Sequence, residues 1–461
     1  METGQKYSIS ITDVSTSGEG IGRADGMVVF VPGLVPGDEA EIEITGIRKN
    51  IARGKVLQIQ HPSPERTEPP CPVFGRCGGC SLQNMAYDAQ LRLKDRQLKD
   101  KLERICGGDI PAAEEPAGME YPWYYRNKAE YAAGMGRRAD GTKGPLAGFY
   151  DRGSRQVVET EHCMIQSPAA NLAAEGLRQF IRESGISIYN ERTGKGLLRR
   201  MTVRTGWESG EVMVIITING RELPEAQLLA DILSEVLDTE EYEFRSLALE
   251  YNTNKNIAAP GAKTEVIAGG EVIHDTLLGM NFEISPQSFY QVNPAQTEVL
   301  YNTVLEFAAI GPEDVVFDLY CGVGTIGIFC ARQAKYVWGI ESVKSAVIDA
   351  NRNAVINGLV NIQFIRGKAE EKILQLEEQQ IRPDVVILDP PRAGCREELI
   401  EAVNRAAPSR IIYVSCEPAT MARDLKQLTA SGQYRIRRIK MIDQFCHTVR
   451  MECVILLVRE P

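Results

Sequence analysis

Apolar and polar residues alternate with a period of two over the first sixty positions. The alternation runs through YSISITDVS, MVVFVPGLVPGDEAEIEI and KVLQIQ, and glycine turns separate these segments. Short segments with this period, divided by turn residues, are typical of antiparallel strands. We therefore expect a small β-barrel over residues 1–62. The segment HPSPERTEPP then indicates a linker, because it holds four prolines in ten residues.

The next two hundred residues mix strand and helix patterns. A basic amphipathic helix is predicted from about Tyr87 to Arg104. Between Tyr121 and Leu278, short strands such as EVMVIITI alternate with helices such as EAQLLADILSEVL. No internal repeat is found. We interpret residues 63–280 as a mixed α/β central domain.

From about Phe282 the pattern becomes regular. Apolar strands alternate with amphipathic helices, the strands being VVFDLY, YVWGIE, NIQFI, DVVILDPP, RIIYVSC and CVILLV. This alternation is typical of a doubly wound, mostly parallel sheet, so a Rossmann-like domain is predicted over residues 281–461. Ligands of such sheets bind beyond the carboxyl ends of the strands.

Composition and charge narrow the class of protein. The chain has 461 residues and no run of about 18 apolar residues, and its start, METGQKYSIS, lacks the apolar core of a signal peptide. We expect a cytoplasmic monomer without a membrane segment. Eleven cysteines, an odd number, favour reduced thiols, metal ligation or catalysis over a disulfide framework.

A net charge of −10 argues against a protein that coats nucleic acid nonspecifically, because such binding neutralises phosphates. Local basic clusters are still candidates for contact with RNA, although most such clusters are solvated surface. They are Arg92, Lys94, Arg96 and Lys99; Arg199 and Arg200; and Arg435, Arg437, Arg438 and Lys440.

A glycine-rich loop follows the first strand of the C-terminal domain, in Asp318-Leu-Tyr-Cys-Gly322-Val-Gly324-Thr-Ile-Gly327. Read literally it is a dinucleotide fingerprint, with Glu341 placed to bind a ribose hydroxyl. Asp318 favours S-adenosylmethionine over NAD, because a carboxylate there can meet the amino group of a methionine moiety. The sheet also lies at the end of the chain, with little room for a second nucleotide half. A glycine turn that only packs a helix on a strand is the alternative.

Two further strand ends carry reactive side chains. DVVILDPP ends in Asp389-Pro390-Pro391, where successive prolines hold a carboxylate still, and the next strand ends in Ser415-Cys416-Glu417. We expect the following helix start to lower the pKa of the Cys416 thiol. Glu452 stands immediately before the last apolar strand. Taken singly, each has a structural explanation: a strand stop, a structural cysteine and a surface glutamate.

A cofactor loop, a thiol and a carboxylate together predict a particular reaction. Carbon 5 of uracil is too weak a nucleophile to take a methyl group from a sulfonium unaided. Addition of a thiolate at carbon 6 creates an enolate whose carbon 5 can attack the methyl group. A base must then remove the carbon 5 proton so that the thiol can leave. We assign the nucleophile to Cys416 and the base to Glu452.

These motifs resemble the RNA (uracil-5-)-methyltransferases, specifically the iron–sulfur branch that modifies 23S ribosomal RNA. SGEGIGRADGMVVFVPGLVPGDEAEIEI looks like the TRAM domain of that family, an RNA-binding barrel. SFYQVNPAQ, DLYCGVGT, LDPPRAG and YVSCEPATMARD look like its methyltransferase signatures. The resemblance implies the following roles: Gln291, Tyr320, Glu341 and Asp389 bind S-adenosylmethionine, Cys416 is the nucleophile, Glu452 is the base, and Phe289 stacks on an extruded base. Two residues depart from the family pattern, since Glu417 replaces an asparagine and Cys446 replaces a proline.

Three cysteines in CPVFGRCGGC, namely Cys71, Cys77 and Cys80, have ligand spacing. The spacing alone leaves zinc and an iron–sulfur cluster both open. The family places a fourth cysteine in a His-Cys-x-Ile context, which Cys163 matches. The resemblance therefore implies a 4Fe-4S cluster on these four cysteines, with a structural or RNA-positioning role because methylation needs no electron.

Three other functions compete with methylation of 23S ribosomal RNA. One is the same reaction on transfer RNA. The others are a redox or radical enzyme that uses the cluster, and an RNA-binding protein that keeps the fold without methyl transfer. The sequence does not identify the uridine.

Overall fold

The computed structural model describes residues 1–107, 110–138, 141–254 and 263–460. Its N-terminal part is a closed barrel of five strands in the order β1-β2-β3-β5-β4. The strands are β1 (Lys6–Val14), β2 (Glu19–Ala24), β3 (Met27–Pro32), β4 (Glu39–Arg48) and β5 (Ile51–His61). Alternate residues such as Ile9, Ile11 and Ile42 fill the interior. The predicted barrel is confirmed, and its last strand ends next to the predicted boundary at residue 62.

The central part follows the cysteine-rich segment and one long helix. The elements are α1 (Tyr87–Cys106), β6 (Lys128–Arg137), β7 (Lys143–Tyr150), β8 (Val157–Glu159), α2 (Pro168–Ser184), β9 (Leu198–Thr205), β10 (Glu211–Ile218), α3 (Ala226–Leu237), β11 (Glu243–Tyr251) and β12 (Lys263–Gly269). The strands form one sheet in the order β12-β11-β10-β9-β6-β7-β8. Helices α2 and α3 cover one face with an apolar core. This agrees with the mixed α/β organisation predicted from the sequence.

The C-terminal part is a doubly wound sheet preceded by a hairpin. The elements are β13 (Ile273–Leu277), β14 (Met280–Ile284), α4 (Pro294–Ala308), β15 (Val315–Leu319), α5 (Thr325–Ala331), β16 (Tyr336–Glu341), α6 (Lys344–Ile356), β17 (Ile362–Arg366), α7 (Ala369–Glu378), β18 (Val385–Leu388), α8 (Glu397–Ala406), β19 (Arg410–Ser415), α9 (Pro418–Thr429), β20 (Tyr434–Ile442) and β21 (Glu452–Arg459). The sheet order is β17-β16-β15-β18-β19-β21-β20. Strands β15 to β19 are parallel, and β21 is antiparallel to both of its neighbours. The predicted Rossmann-like sheet is therefore confirmed.

The C-terminal part contains elements beyond those predicted. Helix α4 has a start signal in the sequence, since Asn293 caps it by accepting a hydrogen bond from the Gln296 amide (3.2 Å) and Pro294 occupies its first turn. Strand β20 carries the last basic cluster. The β13–β14 hairpin shares its apolar core with β10 of the central sheet as well as with α4. The domain boundary at residues 280 and 281 stays a prediction for this reason.

Helix α1 is attached to the C-terminal part by a buried ion pair. Lys94 Nζ donates to Asp443 Oδ1 (2.5 Å) and to the Phe445 carbonyl (3.2 Å), and neither charged side chain is exposed. The Tyr87 hydroxyl donates to the second oxygen of Asp443 (2.8 Å). These bonds fix α1 against residues 443–448, the loop that leads into β21. We refer to these residues as the 443–448 loop.

The arginines and lysines proposed as RNA contacts are mostly engaged within the molecule. Ion pairs join Arg92 to Glu65, Lys94 to Asp443, Arg96 to Asp13, Lys99 to Asp95, Arg199 to Glu191, Arg200 to Glu250, Arg435 and Arg437 to Glu460, and Arg438 to Glu114 and Glu306. The structure gives these clusters an intramolecular role and does not single them out as RNA contacts. Among the described helices, none has the length and apolar character needed to cross a membrane.

Candidate active site

Five of the predicted catalytic and cofactor residues lie at strand ends along one edge of the C-terminal sheet. Strands β15, β16, β18 and β19 are parallel and end beside Tyr320, Glu341, Asp389 and Cys416. Strand β21 runs the other way and begins at Glu452, so its first residue lies at that same edge. The strand order reverses between β15 and β18, which is where ligands of doubly wound sheets bind.

The glycine loop is closed by Asp318. One carboxylate oxygen, Oδ2, accepts a hydrogen bond from the Gly327 amide (2.8 Å), and a Cβ atom on Gly327 would come within 2.9 Å of that oxygen. Gly324 has a φ of +83°, and a Cβ there would lie 2.4 Å from the Phe364 ring. The other oxygen, Oδ1, is buried and has no hydrogen-bond partner among the described residues. A buried, half-satisfied carboxyl in this loop suits a positively charged donor such as an amino group.

Glu341 is oriented by main-chain amides. Its Oε1 accepts from the Val343 amide (2.8 Å) and its Oε2 from the Gly322 amide (3.3 Å), which ties the carboxylate to the glycine loop. Tyr320 has a φ of +65°, and its amide donates to the Ile340 carbonyl (3.0 Å). A non-glycine residue in this region of backbone space is strained, and such strain is concentrated at functional sites.

Gln291 is buried where the central and C-terminal parts meet. Its carbonyl accepts from Asn127 Nδ2 (3.0 Å) and its side-chain oxygen from Gln444 Nε2 (3.4 Å). Gln444 Nε2 also donates to Thr297 Oγ1 (2.9 Å), and Gln444 Oε1 is buried with no partner in the part of the chain that the structure describes. The sequence does not indicate that Gln444 orients the Gln291 side chain, because this contact exists only once the 443–448 loop folds onto α4.

Cys416 and Glu452 are neighbours across two strands. Ser415, the last residue of β19, is paired with Cys453 of β21, so Cys416, which directly follows β19, comes opposite Glu452, the first residue of β21. The Glu452 carboxyl is close enough to the Cys416 thiol to raise its pKa. Glu452 is only 3% exposed, whereas Cys416 is half-buried. A thiol that a substrate can reach therefore adjoins a carboxyl that water hardly reaches.

The thiol does not have the lowered pKa that the helix start predicts. Burial raises the pKa of Cys416 above its usual value and the Glu452 carboxyl raises it further, while a hydrogen bond donated by Arg392 lowers it. The prediction of a lowered pKa was wrong, because burial and the neighbouring acid raise the pKa of this half-buried thiol. Without substrate, the site thus favours the neutral thiol of Cys416, and Arg392 is the group that favours the thiolate.

Two carboxyls beside the thiol have raised pKa values. Burial raises the pKa of Asp389 to about 7, and burial together with the nearby Asp389 raises the pKa of Glu452 well above its usual value. A carboxyl with a raised pKa is a stronger proton acceptor once ionised. Pairs of this kind occur at active sites more often than elsewhere.

The two departures from the family pattern have separate surroundings. Burial and Arg392 lower the pKa of Arg450, while Cys416 and Glu417 raise it. Glu417 thus offsets the electrostatic repulsion between Arg392 and Arg450 beside Cys416. Cys446 is buried, and its sulfur donates to the Asp443 carbonyl (3.3 Å), so it is a core contact of the 443–448 loop.

Phe289 is an exposed aromatic residue between two buried residues. Its relative exposure is 67%, whereas that of Ser288 is 3% and that of Tyr290 is 6%. An isolated exposed apolar residue is ordinary on a protein surface. This one lies two residues before Gln291, which contacts the 443–448 loop.

Four cysteines line a single cavity of about 380 Å³: Cys71, Cys77, Cys80 and Cys163. The Gly79 amide donates to Cys77 Sγ (3.4 Å), and the Asn171 side chain holds both the amide (2.8 Å) and the carbonyl (3.1 Å) of Cys163. Burial and the nearby Cys163 raise the pKa of Cys80. Across the ranges that the structure describes, no three His, Cys, Asp or Glu side chains are grouped to hold a metal ion. The thiols therefore share a cavity without closing on one point.

Comparisons with known proteins agree with this fold. Residues 248–460 match the model of the tRNA (uracil-5-)-methyltransferase family, and residues 1–57 match the TRAM domain. A protein named as an uncharacterized RNA methyltransferase from Caldanaerobacter subterraneus subsp. tengcongensis is 41% identical over 460 residues, which is 100% of this chain and 99% of that protein. Another protein named as an uncharacterized RNA methyltransferase, from Halalkalibacterium halodurans, is 40% identical over 449 residues. The match covers 97% of this chain and 96% of that protein.

A solved structure is similar over nearly the whole chain. It is that of the Pyrococcus abyssi tRNA (uracil-54, C5)-methyltransferase in complex with S-adenosyl-L-homocysteine. The TM-score is 0.74 and the sequence identity is 30%, with 98% of this chain and 100% of that chain covered.

Proposed function

Because this chain belongs to the family of S-adenosylmethionine-dependent RNA (uracil-5-)-methyltransferases, we propose that it methylates carbon 5 of a specific uridine in 23S ribosomal RNA. Cys416 is the nucleophile and Glu452 the base. The observation that carries this proposal is the position of Cys416 opposite Glu452 at the sheet edge that holds the glycine loop.

The first step is attack on the uracil ring. Cys416 loses its proton to solvent, which reaches this half-buried thiol, and Arg392, which donates a hydrogen bond to the sulfur, stabilises the thiolate. A bond forms between Sγ and carbon 6, and the electron pair of the double bond between carbons 5 and 6 moves toward the carbonyl oxygen at carbon 4 as an enolate. This makes carbon 5 nucleophilic. When bound, S-adenosylmethionine supplies the methyl group. We assign Gln291, Tyr320, Glu341 and Asp389 to hold it, with Asp318 as a further carboxyl that meets its amino group.

The second step releases the product. Carbon 5 then carries both the methyl group and its original proton. The Glu452 carboxylate takes this proton, the C–H electron pair restores the double bond, and the bond from Sγ to carbon 6 breaks so that the thiolate leaves. The raised pKa of Glu452 suits this task, because it brings the pKa of the proton acceptor closer to that of the weakly acidic carbon 5.

RNA is the substrate class that the other parts of the molecule support. The N-terminal barrel matches the TRAM domain, which we assign to RNA binding. A uridine within folded RNA reaches Cys416 only if it leaves the base stack. We assign exposed Phe289 to stacking on the extruded base or on a neighbour, since aromatic rings hold single-stranded bases in this way.

We also propose that the four cysteines hold a 4Fe-4S cluster. The support is their convergence on one cavity and the amide directed at Cys77, which stabilises a thiolate. Four thiolates are also a ligand set for a zinc ion, with each sulfur about 2.3 Å from the metal, and the metal content of the purified protein distinguishes the two. The proposed methylation moves no electron, so we assign the cluster a structural or RNA-positioning role.

The cluster proposal predicts a metal content that depends on four specific thiols. Protein purified without oxygen should contain about four iron and four sulfide per chain, with visible absorption, and Cys71→Ser or Cys163→Ser should lose most of both. The matched control is Cys106→Ser, a partly exposed cysteine that does not line the cavity. Zinc without sulfide in the wild-type protein would contradict the assignment.

Methylated uridines in cells test the proposed reaction. Deleting the gene should remove 5-methyluridine from one or more positions of 23S ribosomal RNA, as read by mass spectrometry of RNA fragments, and the gene should restore it. Loss from transfer RNA instead would favour the alternative substrate, which the similarity to the Pyrococcus abyssi tRNA enzyme supports. If no uridine loses its methyl group, the proposed function is wrong.

A further inference from the structure

The turn that precedes Phe289 is held by a buried carboxylate on one side. Ser285 and Ser288 close the turn, with the Ser288 amide donating to the Ser285 carbonyl (3.2 Å) and the Ser285 amide donating to Ser288 Oγ (2.9 Å). Both hydroxyls donate to Asp349 Oδ2, at 2.9 Å and 2.7 Å. Asp349 is 8% exposed and lies on α6. One carboxylate oxygen therefore anchors both ends of the turn.

A buried guanidinium holds the same turn from the central sheet. Arg204, near the end of β9, is 6% exposed. Its Nη2 donates to the Ser288 carbonyl and, at 3.4 Å, to the Pro286 carbonyl. The Ser288 carbonyl belongs to the peptide bond that joins Ser288 to Phe289. The direction in which Phe289 leaves the turn is therefore set by a residue of another part of the protein.

Burying the Arg204 guanidinium destabilises the fold if its only role is to fill space. No carboxylate forms a direct ion pair with Arg204 within the described residues, its Nε is buried without a partner, and burial lowers its pKa to about 10. Removing a charge from water without a direct counter-charge destabilises a fold, and an apolar side chain of similar size would fill the space at lower cost. What the guanidinium adds is direction, because its planar group fixes acceptor oxygens in defined positions.

The same turn adjoins the cofactor side of the site. Helix α6 begins at Lys344, three residues after Glu341, and carries Asp349 on its buried face. The anchor of the turn and the carboxylate assigned to the cofactor thus belong to one short segment. A shift of that segment would move both.

We propose that Arg204 and Asp349 are positioning residues for RNA, which fix the turn at residues 285–288 so that Phe289 is presented to the extruded base. The proposal deepens the proposed function and rests on it. Arg204 touches neither base nor cofactor in this scheme and acts through Phe289.

A double-mutant cycle separates this role from simple stabilisation. The variants are Arg204→Met, Phe289→Ala and the pair, and Ser288→Ala serves as a milder change if Arg204→Met does not fold. Phe289→Ala should raise the KM for RNA ~10-fold or more, in line with the loss of base stacking. Arg204→Met should raise it by a similar factor, leave the affinity for S-adenosylhomocysteine within about twofold, and add little in the Phe289→Ala background.

The matched control is Arg410→Met. Arg410 also bonds two main-chain carbonyls, those of Ala308 (2.6 Å) and Ala309 (2.5 Å), but it lies at the start of β19, at the opposite end of the sheet from Cys416. It should lose stability without a change in the KM for RNA.

Each outcome points to a different failure. If the effects of Arg204→Met and Phe289→Ala multiply, or if Phe289→Ala leaves the KM unchanged, the positioning role is wrong while the proposed function stands. If the Arg410→Met protein shows the same rise in KM, the effect is one of stability and the inference is also wrong. If wild-type protein forms no Cys416-dependent adduct with 5-fluorouridine RNA, the proposed function fails and this inference fails with it.

Discussion

Replacing Cys416 with alanine should abolish methyl transfer, with a fall in turnover of at least ~10⁴-fold, because carbon 5 of uracil has no other route to a nucleophilic form. The measurement is transfer of a labelled methyl group from S-adenosylmethionine to substrate RNA. The same variant should form no covalent complex with RNA that contains 5-fluorouridine. The wild-type protein should form one, since fluorine cannot leave carbon 5 as a proton and release is blocked.

Cys106→Ala is the control for this prediction. Cys106 is partly exposed, like Cys416, but it ends α1 and its sulfur donates to the Ala422 carbonyl (3.1 Å). This variant should keep both activity and adduct. Binding of S-adenosylhomocysteine by Cys416→Ala should also persist, which would show that its site is intact. An adduct that survives in Cys416→Ala would assign the nucleophile to another cysteine.

Changing Glu452 to glutamine should separate the two halves of the reaction. The amide cannot accept the carbon 5 proton, so attack and methyl transfer should proceed while release fails. We expect turnover to fall ~10³-fold, within the range for loss of a general base, and methylated RNA to accumulate covalently on Cys416. Denaturing gels and mass spectrometry of the linked peptide measure this directly.

The pH dependence of product release is a second test of Glu452 as the base. The pKa of Glu452 is raised, so its neutral form persists to a higher pH than for an ordinary glutamate. Product release in the wild-type protein should therefore slow as the pH falls through that raised pKa. Glu306→Gln, at an exposed glutamate that pairs with Arg438, should change neither turnover nor this profile. If Glu452→Gln releases product at the wild-type rate, another group is the base.

Local residue patterns were sufficient to predict the barrel, the glycine loop and the parallel strands. Each depends on residues close in sequence, such as the alternating residues of β1 or the apolar run of β18. The carboxyl ends of parallel strands then share an edge whatever the loops do, so the meeting of Asp389 and Cys416 could be expected. The strand that brings Glu452 to that edge was also visible as an apolar run.

Features that depend on distant contacts could not be predicted in this way. Strand β20 looks like a basic surface segment, because its pairing with β21 decides its conformation. The pKa of Cys416 depends on burial beside Glu452, and the role of Lys94 depends on an aspartate 349 positions away. Helix α4 is different, since its Asn-Pro start is a recognisable signal that the strand and helix assignment did not use.

The 443–448 loop joins two sites that the sequence keeps far apart. The His447 carbonyl accepts the amides of Ser81 (2.9 Å) and Leu82 (3.0 Å), directly after Cys80, while the same loop bonds Gln291 and leads to Glu452. The same few hydrogen bonds of the 443–448 loop therefore hold residues of both the cysteine cavity and the active site in place. Thermodynamic linkage makes such a dependence symmetric: if a ligand of the cysteine cavity changes the affinity for RNA by some factor, RNA changes the affinity for that ligand by the same factor.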